Sequence, residues 1–260
     1  MNAVQFGFGG IENQLWALIF IMTRVGAALL AAPFFGASSI PVQVRISMAG
    51  AIAVFVMVWT PVETPAEMLS IAAFMALIGE VIIGLALGFV LQISFIAPVM
   101  AAEQISGGMG MAIATAIDPN SGAQSGALGQ YFTVVLTLIF LGIGGHLLWL
   151  RLLIDSYSAF PPGESWLGAE RAWLIVSFAG QAFTTAVAIA LPVMLVLFLV
   201  QLVTGVLSRS APALNLFALG LPAGVLAGIA ALIAVSPFTS EQFIRLSGMA
   251  LENVDAVLAR

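Results

Sequence analysis

Two ionisable residues inside apolar segments are the first candidates for chemistry in this sequence. Arg24 lies within an apolar run near the N-terminus, and Glu80 lies within another run further along the chain. Because a charge in a membrane span is costly, such a residue faces protein, water or an opposite charge. Two interpretations of Arg24 stay open: a structural ion pair inside one helix bundle, or a polar contact across a subunit interface or along a pathway.

Glu80 shares one helix face with two glycines. Positions 80, 84 and 88 recur every four residues, which places the carboxylate, Gly84 and Gly88 on the same side of a helix. Glycines at this spacing let a neighbouring helix approach closely, so we predict a tight helix contact there. Packing alone leaves the carboxylate unexplained, and a proton-carrying role for Glu80 stays open.

The middle of the chain, residues 103–129, is rich in glycine and poor in charge. It holds six glycines, two acids and no cation. A connection this long is typical of a functional or a disordered segment, and disordered segments carry more charge. One hypothesis is a segment that folds back into an assembly and lines or closes a cavity. The other is a solvated loop, which the composition alone favours.

The remaining polar residues form no catalytic, metal-binding or cofactor-binding pattern. His146 is the only histidine and cysteine is absent, so we predict an interior histidine with its hydrogen bonds satisfied. Arg151 and Asp155 predict an interfacial ion pair of small energetic worth. No nucleotide-binding loop, zinc-protease motif or serine triad is found. An intramembrane enzyme would need a second catalytic group beside Glu80 or His146.

The composition is that of an integral membrane protein. Hydrophobic residues make up 62% of the chain and charged residues only 7%, whereas soluble domains carry about 25% charged residues. Seven arginines, no lysine and a net charge of −5 argue against a nucleic-acid partner and against binding to anionic lipid. The first cation is Arg24, so we expect the first apolar run to be a retained span and not a signal peptide.

Several predicted helices are longer than a bilayer requires, which is about 20 residues. Thr64, Pro65 and Glu67 predict the start of the third helix, and Pro192 predicts a kink in the fifth. Overlong, bent helices favour packing against protein neighbours more than against lipid. The predicted spans lie near 12–32, 45–60, 66–102, 129–154, 173–206 and 212–236, and a further helix covers 240–258.

This last helix is predicted to be amphipathic, because its apolar residues recur along one face. We expect that face to dock onto a partner or onto the chain's own helices. The predicted fold class is therefore an all-α integral membrane protein. It has about six long, kinked apolar helices in hairpins, a Gly-rich re-entrant or plug loop, and a C-terminal amphipathic helix. The apolar face consists of Phe243, Leu246, Ala250, Val254 and Val257.

Four stretches, taken together and in order, form a pattern that covers most of the chain. They are Arg24 with Pro33-Phe34-Phe35-Gly36, Pro41 and Arg45; Gly79-Glu80 with Gly84 and Gly88-Phe89; the Gly-rich middle with Asp118-Pro119; and 207–217 with Gly220-Leu221-Pro222. In these stretches the chain resembles the FliR family of flagellar biosynthesis proteins, whose counterparts in virulence secretion form the SctT family.

The resemblance implies a function that is not enzymatic. Proteins of this family join FliP and FliQ in the export gate of the type III secretion apparatus, and contacts with the FlhB and FlhA export proteins are expected. The gate lies in the bacterial inner membrane, in the flagellar basal body, and passes unfolded flagellar proteins. The resemblance also implies a FliP-like part at 1–102, a plug loop at 103–129, a fourth helix with its connection at 130–172, a FliQ-like hairpin at 173–239 and a C-terminal helix at 240–260.

The same resemblance assigns roles to particular residues. The channel plug would contain Gly107, Gly108, Met109, Gly110, Met111, Asp118 and Pro119. Subunit or helix interfaces would contain Arg24, Pro33, Phe35, Gly36, Pro41, Arg45, Glu80, Gly84 and Gly88. The cytoplasmic hairpin turn would contain Ser208, Arg209, Pro212 and Asn215.

One departure and three further expectations qualify this assignment. The plug stretch has no aromatic residue, so its methionines would have to supply the bulk that seals a channel. We expect Arg24, Glu80 and Arg209 to find partners only within a complex. One alternative is the SctT subunit of a virulence system. Another is a self-contained proton-coupled secondary transporter with Glu80 as the proton carrier and Pro192 as a hinge.

Overall fold

The computed structural model describes residues 9–37, 40–59, 70–111, 126–162, 167–210 and 216–259. Within these ranges the chain forms helices and no strand. The helices are α1 Gly9–Ala31, α2 Val42–Trp59, α3 Ile71–Gly108, α4 Ala127–Gly142, α5 Gly145–Ala159, α6 Ala169–Ser210 and α7 Leu216–Ala259.

The helices confirm an all-α membrane protein. Among the described residues, five helices are long and apolar enough to cross a membrane, and there are six such spans if α4 and α5 form one broken span. Three of them, α3, α6 and α7, have 38, 42 and 44 residues, about twice what a bilayer needs. Pro192 lies inside α6, which stays helical on both sides of it.

The contacts divide the chain into two compact units. The first unit contains residues 1–93, 144–178 and 250–260. The second unit contains residues 94–143 and 179–249. Each unit holds one of the two sites described below, and each site is built entirely from residues of its own unit.

The start of α3 differs from the prediction. The helix begins at Ile71, where the Ser70 Oγ accepts a hydrogen bond of 3.1 Å from the Ala73 N–H. A serine in this position satisfies one of the amide groups that a helix start leaves free. The predicted start at 66 is therefore wrong for this helix, and the predicted cap at Thr64 lies outside the described residues.

The end of α3 lies within the Gly-rich middle. Residues up to Gly108 are helical, so the predicted loop at 103–129 begins later than expected. The Gly110 N–H bonds to the Gly107 carbonyl and the Met111 N–H bonds to the Ser106 carbonyl, both at 3.0 Å. These two bonds define a Schellman motif, which requires a left-handed residue, and Gly110 has φ +80°. Gly110 therefore ends the helix at a defined place.

The predicted single span at 129–154 is broken into α4 and α5. Gly144 has φ +73°, a left-handed conformation that interrupts the helix. Its carbonyl then accepts bonds from the Leu147 and Leu148 N–H groups at 3.0 and 3.2 Å, and so it starts α5. The prediction of one helix is wrong because a glycine inside an apolar run does not by itself indicate a left-handed conformation.

The last span and the C-terminal helix, predicted to be separate, form the single helix α7. Pro237 lies inside it and removes the hydrogen bond that the Ile233 carbonyl would otherwise accept. The Ser236 hydroxyl donates to that carbonyl at 2.9 Å instead. The predicted apolar face is confirmed, because its five residues are 0–1% exposed inside this chain. It packs on the chain's own helices, as in the T-shaped contact between Phe243 and Phe132.

Candidate functional sites: a buried ion pair and a glycine-rich helix end

The first site is an ion pair between α1 and α3. Arg24 and Glu80 are both 0% exposed. The Arg24 Nε donates to Glu80 Oε2 at 2.7 Å, and Nη2 donates to Oε1 at 2.9 Å. Two parallel bonds of this kind fix both the distance and the orientation of the two groups. The pair therefore joins α1 and α3 rigidly.

The rest of the guanidinium is held by the end of α5. Nη1 donates to the Ser156 carbonyl at 2.9 Å and to the Ser156 Oγ at 3.2 Å. Nη2 also donates to the Phe160 carbonyl at 2.8 Å. A guanidinium has five N–H donors, and Arg24 makes five hydrogen bonds. Cations are favoured near helix C-termini, so the end of α5 suits the charge as well as its donors.

Aromatic side chains surround this ion pair. The Arg24 Cζ lies 4.2 Å from the centre of the Tyr157 ring, and the Tyr157 hydroxyl donates to the Ile21 carbonyl at 2.9 Å. About two turns earlier on α5, the Trp149 Nε1 donates to the Leu87 carbonyl at 3.3 Å. These contacts tie α5 to both α1 and α3 and exclude water from the charges.

Two glycines let α1 and α3 meet at backbone distance. A Cβ atom at Gly84 would lie 2.2 Å from the Arg24 carbonyl oxygen, and one at Gly88 would lie 2.4 Å from the Ala28 carbonyl oxygen. Real Cβ atoms are not found so close to backbone oxygens. Any side chain at either position would push the helices apart and stretch the bonds between Arg24 and Glu80.

The described residues between α1 and α2, 32–37 and 40–41, form a corner of the first unit. A Cβ atom at Gly36 would lie 2.2 Å from the Leu30 carbonyl oxygen, so only glycine fits there. The Arg45 Nη2 donates to the carbonyls of Ala37 and Ile40 at 2.8 and 2.9 Å. The other predicted interface residues lie in the same corner: Pro33, Pro41, which is exposed, and Phe35, which stacks on Trp149 at 6.0 Å.

The expectation that Arg24 and Glu80 find partners only within a complex is wrong. Both are paired within this one chain, with both Glu80 oxygens bound to the guanidinium. The geometry matches the interpretation of Arg24 as a structural ion pair inside a bundle. Arg209, in contrast, lies exposed in the last turn of α6.

The second site is the helix end at Gly107–Met111 in the second unit. Met109 is 4% exposed and lies against α7. A Cβ atom at Gly228 would lie 2.6–2.8 Å from the Met109 Cγ, Sδ and Cε, and one at Gly224 would lie 3.2 Å from the Met109 carbonyl oxygen. We call Gly224 and Gly228 the glycine seat. Its absent side chains make the space that Met109 fills.

The same helix end is also held by α6. The Gln201 Nε2 donates to the Gly108 carbonyl at 2.9 Å. A Cβ atom at Gly108 would lie 3.0 Å from the Leu197 Cδ1 and from the Met194 Sδ. One hydrogen bond and a few apolar side-chain atoms therefore fix Gly107–Met111 between α6 and α7. These contacts contain no charge.

The structure describes only some of the other predicted residues. Asp118, Pro119, Pro212 and Asn215 lie outside the described residues, and Ser208 is described only as part of the α6 backbone. Arg151 and Asp155 form an ion pair as predicted, with 3.6 Å between Nε and Oδ2, and both side chains are exposed in this chain. His146 differs from the prediction, because its Nδ1 is buried without a hydrogen-bond partner among the described residues.

Comparison with known proteins identifies the family. A family model described as bacterial export proteins, family 1, matches residues 15–249. The chain belongs to this family, the FliR family. The flagellar biosynthetic protein FliR of Escherichia coli (strain K12) is 32% identical over 231 residues, which cover 87% of this chain and 85% of that protein. FliR of Bacillus subtilis (strain 168) is 30% identical over 210 residues, which cover 79% and 80%.

Membership of the FliR family, together with the apolar helices, makes this chain a multi-pass membrane component of a flagellar export apparatus. The similarity also extends to FliR of Caulobacter vibrioides (strain ATCC 19089 / CIP 103742 / CB 15), which is 28% identical over 239 residues, or 91% of this chain and 92% of that protein. The Arg24 pair and the Gly107–Met111 helix end both lie inside residues 15–249, which the family model matches.

Sequence reasoning missed the partners that complete each site in this FliR family member. The carbonyls of Ser156 and Phe160 leave no sequence signal, because any residue carries a carbonyl. The glycine seat did leave one, since Gly220, Gly224 and Gly228 repeat every four residues like positions 80, 84 and 88. That signal indicates a close contact but not which residue makes it.

Proposed function

We propose that this chain forms, together with FliP and FliQ, a gate in the bacterial inner membrane that passes unfolded flagellar proteins. In this proposal it works in a flagellar system, next to FlhB and FlhA, and not as the SctT subunit of a virulence system. Membership of the FliR family and the flagellar names of its relatives support the system. Assembly with these partners and formation of a channel need an experimental test.

The observation that carries the proposal is the length of apolar surface on α6. Large apolar side chains are exposed along this helix from Trp173, at 67%, to Leu207, at 53%. The 34 steps between them span about 51 Å at 1.5 Å per residue. A hydrocarbon core is about 30 Å thick, so a straight helix would have to tilt by more than about 50°, beyond the usual range of 0–40°. Protein partners would cover what lipid does not.

The Arg24 site acts in this proposal as a fixed part of the gate's frame. Its charges are paired inside one chain and its glycines bring two backbones into contact. Glu80 has both oxygens engaged by a permanent cation and no exposed surface, which are poor properties for a group that takes up and releases protons. The geometry therefore favours an export-gate subunit over a proton-coupled transporter that uses Glu80.

The Gly-rich stretch acts as the channel plug in this proposal. Within its described part, Gly107–Met111 is uncharged and held by weak contacts, which suits a segment that has to move without exposing a buried charge. The proposed plug also includes Asp118 and Pro119, and the proposed cytoplasmic turn includes Ser208, Arg209, Pro212 and Asn215. The proposed FliP-like part is 1–102 and the FliQ-like hairpin is 173–239, although α7 continues past 239 without a break.

The direct test is assembly. The tagged chain is expressed with and without FliP and FliQ of the same source, extracted in a mild detergent and weighed by native mass spectrometry. We expect a stable complex that contains all three proteins. A well-behaved monomer or homodimer that ignores both partners would contradict the proposal, and proton-coupled transport by the purified chain would then be measured.

A further inference from the structure

Met109 is the nearest neighbour of both glycines of the glycine seat on α7. For both Gly224 and Gly228, the three atoms nearest to an added Cβ all belong to Met109. Gly220, one turn before Gly224, would meet nothing within 4 Å. Glycine in a helix interior is destabilising by about 0.5–1 kcal/mol relative to alanine, so two glycines that face a single methionine need a reason.

We propose that the glycine seat and Gln201 form a latch that holds Gly107–Met111 in the closed position, and that opening requires Met109 to leave the seat. This inference rests on the proposed function, because it gives the plug a fixed resting place. Met109 is then a positioning residue. It fixes the last turn of α3 and thereby the point from which the rest of the Gly-rich stretch departs.

The contacts of the latch suit repeated release. Met109 is unbranched and flexible, so it can leave and re-enter a shallow groove without a fixed rotamer. The bond from Gln201 to the Gly108 carbonyl is neutral, and such a bond contributes only about 0.5–1.5 kcal/mol. Met194, which touches Gly108, also lines a cavity of about 370 Å³ between α3 and α6. The helix end therefore has space beside it.

The chain lends itself to a disulfide test because it contains no cysteine. The Met109 Cγ lies 2.6 Å from an added Cβ at Gly228. Since Cγ is one bond of about 1.5 Å from the Met109 Cβ, the two Cβ atoms lie at most about 4.1 Å apart, close enough for the 3.5–4.5 Å that a disulfide spans. The double variant Met109→Cys/Gly228→Cys should therefore cross-link within the chain.

The experiment uses cells that export flagellar proteins through this chain, with the double variant in place of the native protein. The cross-linked fraction is read from the chain's own mobility on a non-reducing gel, in the complex with its partners. We expect the bond to form under oxidation, export to fall in proportion to the cross-linked fraction, and a reductant to restore export. The control is Met109→Cys/Gly220→Cys, which should neither cross-link nor change export upon oxidation.

Two results would overturn the latch. Failure of the bond to form in a complex that assembles normally would show that Met109 does not rest on Gly228. Full export by a completely cross-linked chain would show that opening leaves the seat occupied. Both differ from failure of the proposed function, in which the native chain itself would not assemble with FliP and FliQ.

Discussion

The two sites share one sequence feature, glycines four residues apart on a helix, but they use it for opposite purposes. Each places glycines four residues apart on one helix, at 84 and 88 on α3 and at 224 and 228 on α7. An added Cβ at the α3 glycines would lie 2.2–2.4 Å from backbone oxygens of α1. On α7, an added Cβ at Gly224 would lie 3.2 Å from the Met109 carbonyl oxygen, and Gly228 is the more crowded of the two, by the Met109 side chain. A backbone cannot retreat without moving its helix, but a methionine side chain can. The atoms that face the glycines therefore decide whether the contact is permanent.

The polar groups of the two sites differ in the same direction. Arg24 is fully buried and makes five hydrogen bonds, two of them to the opposite charge of Glu80. Among the described residues, the Gly107–Met111 helix end accepts one side-chain hydrogen bond, from the neutral and exposed Gln201. Separating Arg24 from Glu80 would leave a buried charge without its counter-charge, whereas releasing the Gln201 side chain returns it to water. We infer that the Arg24 site stays intact while the proposed gate opens and closes.

Removal of Glu80 should have the largest effect. Glu80→Ala leaves the Arg24 charge buried without a counter-charge, which is expected to destabilise the protein by about 3–5 kcal/mol. The double variant Arg24→Met/Glu80→Leu removes both charges and should be less destabilised than Glu80→Ala. Thermal unfolding of the purified complex measures both. A double variant that loses the sum of two single losses would contradict a paired, purely structural role.

The second-largest effect is expected from adding a single methyl group to the glycine face of α3. Gly84→Ala forces a Cβ atom to within 2.2 Å of the Arg24 carbonyl, so α1 and α3 have to separate. Overpacking of this kind is expected to cost about 1–3 kcal/mol or more, measured as recovery of folded protein and of the complex. Gly26→Ala on α1, which meets nothing within 4 Å, is the matched control. Equal recovery of the two variants would disprove the close contact.

The same change from glycine to alanine in the glycine seat should have a smaller effect on stability and should alter opening. The three atoms nearest to an added Cβ at Gly228 all belong to the flexible Met109 side chain, so the complex should assemble. Weaker seating is expected to make the closed gate leaky, measured as ion conductance of cells that express the variant. Gly220→Ala should leave conductance unchanged. If cells with Gly228→Ala show the same ion conductance as cells with Gly220→Ala, the glycine seat has no role in closing the gate.

Loss of the Gln201 hydrogen bond should have the smallest effect. Gln201→Met keeps the length of the side chain and removes only the donor to the Gly108 carbonyl. We expect at most about 1 kcal/mol of lost stability, together with a slight rise in conductance. Combined with Gly228→Ala, the change should increase the leak, because both contacts hold the same helix end. Two changes with no joint effect would argue against a shared latch.

Much of the fold follows from composition and hydrophobic length. The helices α1 and α2 begin and end within three residues of their predicted bounds, because apolar run length is a strong signal for membrane helices. The errors lie where a single residue decides the backbone. Gly144 breaks a helix that its apolar neighbours would continue, and Ser236 keeps α7 continuous through Pro237 by bonding the freed carbonyl.

For each site, the sequence indicates only one of the two partners in the contact. The Glu80, Gly84 and Gly88 pattern indicates a close helix contact, and Arg24 in an apolar run indicates a hidden partner. That they are each other's partners, 56 residues apart, depends on the tertiary fold and has no signature in one sequence. The same holds for Met109 and the glycine seat. In both places, sequence gives one half of the contact and tertiary structure supplies the other half.

Hydrogen–deuterium exchange of the assembled complex tests this difference between the two sites most directly. Exchange is compared between the closed complex and one in which an exported protein is stalled by a folded C-terminal domain. We predict unchanged protection of amides in 21–29 and 80–88, and faster exchange in 105–111 once the channel is occupied. Equal protection of 105–111 in both states, or loss of protection around Arg24, would contradict the account of a fixed frame and a releasable helix end.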